Sequence, residues 1–241
     1  MSTREDWMRR LGPLYGGAVA LRHSTPWRWP LAIGHEARSS FWIVVLGAPI
    51  GFVAWLAASI IKGAGMPATV AAIVGLAVLS LASAALVERG LIERLDGAHS
   101  TAPSVTSILV LVFTTLVRAA AILAIAPGAW LGVLVATALV GRWAAVFLQA
   151  LGDPIADDDA PRSLVATPAP AWLTAALGIG VAVITIAALG KRGVVALAVT
   201  AAIAFALGLD AQRRDRGLSA PVVATAAAVG ELVVLLVATI A

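Results

Sequence analysis

Three ionisable residues interrupt the long apolar runs of this chain: Arg118, Arg142 and Glu231. A charge in hydrocarbon costs about 3 kcal/mol or more unless it is paired or wetted, so function is expected to concentrate at these positions. Two chemistries suit them. Arg142, in Gly141-Arg142-Trp143, and Glu231, which follows Gly230, can neutralise each other across two helices as an ion pair, or can line a water-filled cavity that takes a polar substrate. Arg118 either snorkels along its helix or joins the same site.

The elements that must position these residues are membrane spans. Of the 241 residues 61% are apolar and 12% charged, against about 25% charged in ordinary soluble domains. Apolar runs at Phe41–Ile61, Met66–Leu86, Val105–Ile125, Ala129–Leu148, Ala171–Leu189, Gly193–Leu209 and Pro221–Ile240 are each long enough to cross a core about 30 Å thick as helices. The expected fold class is therefore all-α: a polytopic integral membrane helical bundle of about seven transmembrane helices, forming one domain over 41–241 behind a polar, Trp-rich lead-in over 1–40. Within that lead-in Leu11–Leu21 is too short to span, and Pro13, Gly16 and Gly17 weaken it as a helix, which suggests an interfacial segment. Trp27, Trp29 and Trp42 suit the headgroup layer. Gly47 and Gly51 form a small-xxx-small step that permits close helix contact.

Charge sets the expected orientation. Of the 17 Lys and Arg residues, Arg118 and Arg142 lie inside runs and Lys62, Lys191 and Arg192 fall on one face, which leaves twelve arginines on the other. The positive-inside rule puts that arginine-rich face, with the N-terminus, in the cytoplasm of a multi-pass inner-membrane protein. The same face, made of the lead-in and loops near 87–104, 150–170 and 210–220, also holds every acidic residue except Glu231. In the first loop, Glu88, Arg89, Glu93, Arg94 and Asp96 alternate in sign, and a solvated, self-neutralising face is the plainer reading. The second holds Asp153 and the run Asp157, Asp158, Asp159, which could recruit Mg²⁺ or simply be solvated. The third carries Arg213 and Arg214 in a basic turn that could meet phosphate oxygens or anchor to lipid.

There is no cysteine, so thiolate catalysis, disulfides and thiolate metal sites are excluded. His23, His35 and His99 are scattered without ligand spacing. The formal charge of +4 suits attraction to anionic lipid and gives no sign of nucleic-acid binding. The first forty residues lack the single apolar stretch and cleavage site of a signal peptide.

The last run carries a resemblance. From Arg216 through Gly217, Ser219 and Glu231 into the apolar tail, the chain resembles the C-terminal signature of adenosylcobinamide-GDP ribazoletransferase, also called cobalamin-5′-phosphate synthase. Gly217 and Glu231 match, and Ser219 stands for a threonine. Gly141-Arg142-Trp143 is similar to the family's small-Arg-x step, and Phe41, Gly47 and Gly51 to its first-span pattern. The resemblance implies that adenosylcobinamide-GDP and α-ribazole, or its 5′-phosphate, are joined with release of GMP, using Mg²⁺. Arg142 would contact phosphate, and Glu231 would hold Mg²⁺ or orient the nucleophile. Arg118, Asp96, Arg213, Arg214 and Ser219 become the candidates for substrate contact.

Several positions depart from that pattern. A signature Asp falls on Pro221, the first of two tail acids falls on Ala228, and the acidic loop is shortened to Leu86–Ser107 with Asp96-Gly97 as its remnant. Magnesium ligation would then shift to Glu231 with Asp157, Asp158 and Asp159. Two other readings stay open: a descendant without catalysis, acting as a scaffold or binding protein for a corrinoid-pathway membrane partner or as a homo-oligomer, and a small transporter using Arg142 and Glu231, for which no inverted repeat is visible.

Overall fold

The computed structural model describes residues 4–26, 39–97, 102–155 and 169–240. Helices form throughout them, and the described residues contain no strand, only an isolated bridge between Pro154 and Leu218. The polypeptide is a multi-pass membrane protein of the all-α class. Among the described residues six helical spans are long and apolar enough to cross a bilayer, or seven if a bent pair is counted as one span.

The lead-in folds as α1 (Arg4–Leu11) and α2 (Tyr15–Ser24), joined by a 3₁₀ turn at Gly12–Leu14. The expectation that Pro13, Gly16 and Gly17 weaken this stretch as a helix is corrected. Pro13 falls at the start of the 3₁₀ turn, where its missing N–H costs nothing. The face of α2 carrying Tyr15, Val19 and Ala20 is buried. Gly17 is needed there, because a Cβ would lie 3.1 Å from the Trp42 ring.

The first span combines α3 (Ser39–Val45) and α4 (Gly47–Gly63). It is followed by α5 (Ala68–Ala82) and α6 (Leu86–Asp96), then α7 (Val105–Ala124), α8 (Trp130–Leu151), α9 (Ala171–Leu189), α10 (Lys191–Arg214) and α11 (Ala220–Ala238). The sixth run proves longer than its apolar part: α10 takes in Lys191 and Arg192 at one end and Asp210 to Arg214 at the other.

Burial ranks the spans. In α8 and α11, 78% of the span residues are buried, against 17–39% in the others, so these two form the axis of the bundle. They can lie close because small residues meet: a Cβ on Gly230 would sit 3.1 Å from the Gly141 Cα. Gly47 and Gly51 are used in the same way within the chain. Their added Cβ atoms would fall 2.8 Å from the Ala138 carbonyl and 2.5 Å from the Val135 Cα, so the small-xxx-small step seats α4 on α8.

The second run differs most from expectation. In place of one straight span over Met66–Leu86, the helix stops at Ala82, turns through 68°, and resumes at Leu86. Ala84 and Ala85 take left-handed conformations, φ 53° and 52°, which cost an L-residue roughly 1–2 kcal/mol each. The turn leaves little backbone unsatisfied. Ala84 donates to the Leu81 carbonyl and Ala85 to that of Ser80, while Leu86 and Arg89 bond back to Ser83 and Ala85, as in a Schellman stop followed directly by a new helix. Protein covers part of this turn: Ser83 is buried, and Ala84 and Ala85 are half-buried.

Candidate functional site: a charged network at the helix break

The break in the second span aims α6 back into the bundle. Glu88, in the first turn of α6, therefore faces inward, where the positive end of the helix favours a carboxylate. Ser80, just before the break, donates its hydroxyl to Glu88 Oε1 at 2.6 Å. Arg118 on α7 donates to the same oxygen at 3.1 Å and, through its other terminal nitrogen, to Glu231 Oε2 on α11 at 2.6 Å. One guanidinium thus bridges two carboxylates from two helices. Arg118 is 4% exposed and Glu231 3%, so the expectation that Arg118 snorkels is overturned.

Arg142 lies beside this bridge, also buried, at 2% exposure. The expected Arg142–Glu231 ion pair does not form; Arg118 takes Glu231 instead. Arg142 donates to the Ser83 hydroxyl at 3.0 Å and to the Ala138 carbonyl of its own helix at 3.3 Å. The neighbourhood of Arg142 and Glu231 follows from the α8–α11 crossing, where the Glu231 Cγ lies 2.6 Å from the position of a Cβ on Gly141. Three buried polar atoms in the group, Glu88 Oε2, Arg118 Nε and Arg142 Nε, meet no hydrogen-bond partner among the described residues. A hydroxyl that donates to Glu88 Oε2 and an oxygen, such as that of a phosphate, that accepts from the two Nε atoms is the chemistry that would satisfy such a set.

The remaining candidates gather elsewhere, at the polar end of the bundle. Arg94 bridges Asp215 at 2.9 Å and Asp210 at 3.3 Å, and Arg214 pairs with Asp210 at 2.7 Å. Arg213 is exposed in the same final turn of α10. Asp96 accepts the Ser104 amide at 2.9 Å and the Ser107 hydroxyl at 2.6 Å, fastening the end of α6 to the start of α7. Those bonds, from Ser104 first and then Ser107, hold its carboxyl below the ordinary carboxylate value. Ser219 is the residue preceding α11, and its side chain makes no capping bond. Twelve residues of helix separate it from Glu231, about 18 Å. Arg118, Arg142 and Glu231 are thus brought together, whereas Asp96, Arg213, Arg214 and Ser219 are not part of that group.

Asp157, Asp158 and Asp159 lie outside the described residues, as do His35, His99, Trp27 and Trp29. Among the described residues no group of three or more His, Asp or Glu side chains could hold a metal ion. The two carboxylates that do approach one another have a guanidinium between them, where a cation would have to sit. The donor set at the helix break does not fit Mg²⁺.

Two participants, Ser80 and Ser83, were missed by sequence reasoning, and Glu88 was read first as a solvated loop charge, with participation in a site as the alternative. The signal was present in outline. Two serines near the end of an apolar run, followed within eight residues by a carboxylate, are polar groups that a straight helix would have left facing lipid or a neighbour. No family model, curated protein or solved structure matches the chain.

Proposed function

We propose that the chain binds a phosphate-bearing substrate at Arg142, beside the Arg118 bridge, and acts as an adenosylcobinamide-GDP ribazoletransferase. The observation that supports this reading is the meeting of two sequence-distant segments that carry the resemblance. Gly141-Arg142 and Gly230-Glu231 are about ninety residues apart, yet they touch at one glycine crossing beside the buried network. In the reaction a free ribose hydroxyl oxygen of α-ribazole, one that stays free in its 5′-phosphate, attacks the phosphorus next to cobinamide, the bond from that phosphorus to the GMP oxygen breaks, and GMP leaves. Glu88 Oε2, the network oxygen without a donor, takes the hydroxyl proton. Arg142 Nε offsets phosphate charge, and Arg118 fixes the carboxylates. The same reading places residues 1–40 in the cytoplasm, under the inner membrane, on the arginine-rich face.

A second reading is favoured by one specific observation: Arg118 already occupies both carboxylates of the network, Glu88 and Glu231. A Mg²⁺ ion, as the resemblance implies, would supply phosphate-charge neutralisation, and its ligands would have to come from Asp157, Asp158 and Asp159. Without them the chain is a corrinoid-binding descendant that performs no transfer. Purified protein with adenosylcobinamide-GDP, α-ribazole and Mg²⁺ separates the two readings. GMP release that is lost in Arg142→Met supports transfer; saturable substrate binding without release supports the binding role. Absence of both would sink the proposal.

A further inference from the structure

Against α8, the helices α3, α4 and α9 leave a groove of about 370 Å³ between them. Its walls include Phe41, Val45, Leu139, Leu173, Gly180 and Ile184, and every other lining residue among the described residues is apolar as well. The groove is long and thin. From Leu173 to Ile184 it follows eleven residues of α9, about 17 Å of helix, which is close to the depth of one leaflet, half of a core about 30 Å thick. Dividing even the whole non-atom space there, about 760 Å³, by that length gives a mean section of roughly 46 Å², still short of the roughly 80 Å² that a helix about 10 Å across needs. A helix of a second copy is therefore too thick to enter, and a single file of methylenes is not.

The ends of the groove agree with that occupant. Leu173 and Phe41 stand in the first turns of α9 and α3, which enter the membrane from the same face. Trp172, next to Leu173, is 73% exposed, and Phe41 packs edge-on against Trp42 with ring centroids 5.5 Å apart. Aromatic rings collect at headgroup level, so one end opens at the interface while Ile184 marks the other end deep in the hydrocarbon. We infer that this groove seats one acyl chain of a phospholipid from the leaflet into which α3 and α9 first enter, held as an integral part of the bundle.

Gly180 makes the idea testable. A Cβ built there meets nothing within 4 Å, so a larger side chain enters the groove without displacing backbone. The wild-type protein, extracted in mild detergent, incubated with dipalmitoyl phosphatidylethanolamine vesicles and repurified, is expected to carry one phospholipid per chain in native mass spectra. Gly180→Leu lowers that occupancy at least tenfold. Ala176→Phe, which fills the same groove from another exposed position, does the same, so the result does not hang on the folding of one variant. Val183→Leu, on an exposed position outside the groove, keeps its lipid. The inference is overturned by wild-type protein that emerges free of lipid or by equal retention in Gly180→Leu and Ala176→Phe. A lipid-free dimer that those two substitutions dissociate overturns it as well.

Discussion

Replacing Arg118 by methionine strands Glu231, which is 3% exposed and has its 2.6 Å ion pair with that arginine. Removing one partner of a buried pair leaves an uncompensated charge and costs about 3–5 kcal/mol. Glu88 also loses its 3.1 Å contact but keeps the Ser80 hydroxyl, so Glu231 dominates the penalty. Adding Glu231→Gln removes the stranded charge and leaves an amide with an incomplete set of hydrogen bonds, at about 1–2 kcal/mol. The double variant is therefore expected to be more stable than Arg118→Met alone by about 2–3 kcal/mol, roughly 30- to 150-fold in the folding equilibrium. Reversible unfolding in mixed micelles, followed by tryptophan fluorescence, gives the four corners of the cycle. If the losses of the two single variants simply add, within about 0.5 kcal/mol, the residues are not coupled and the bridge is not a stabilising unit.

Other substitutions test other parts of the molecule. Gly141→Ala drives a Cβ to 2.6 Å from the Glu231 Cγ and 2.9 Å from the Ala227 carbonyl; a loss of about 1–3 kcal/mol is expected in the same unfolding assay, and an unchanged midpoint would refute the close crossing. Ala85→Gly relieves a left-handed alanine and raises stability by up to about 1 kcal/mol, whereas Ala85→Pro, locked at negative φ, prevents the turn; a destabilised glycine variant would contradict the assigned backbone. Asp96→Asn weakens the link between α6 and α7. Because hydrogen bonds depress the folded pKa of Asp96 below 3.8, its ionised form contributes stability above that value and loses it as pH falls through the lower folded pKa. The gap between wild type and Asp96→Asn should therefore close in acid, and a gap that stays constant down to pH 2 would argue against the carboxylate's role.

The spans were readable because a bilayer demands one thing of every segment, a long apolar run with its backbone satisfied internally. The lengths of the runs located the ends of α7, α8, α9 and α11 to within three residues. What was not readable is the break after Ala82. Its two left-handed positions are alanines, where the usual signal is glycine or asparagine, so nothing in the local pattern marked a turn. That one omission kept Glu88 among the solvated loop charges and left Arg142 as the obvious partner for Glu231. Only the geometry of α6 makes Arg118 the residue between two acids. The inward arginines and the glutamate stood out at once, because charges are rare enough in hydrocarbon to announce themselves. Which charge meets which depends on helix rotation and bend, and periodicity carries neither.

Glu88, Arg118 and Glu231 leave the ribosome in that order, 30 and then 113 residues apart. The helix α11, and with it the second acid, is made only after the spans from α3 to α10. Until then the arginine in α7 has a single carboxylate to accompany it, the one delivered by the bent helix immediately before. The bend thus acts first as an escort: α5, α6 and α7 can enter as a neutralised hairpin, and α11 docks onto a prepared cation. A chain ending before Ala220 should still integrate α7 across the membrane, and should do so less efficiently once Glu88→Gln removes the escort. Equal integration with and without that carboxylate would show that the arginine needs no companion on the way in.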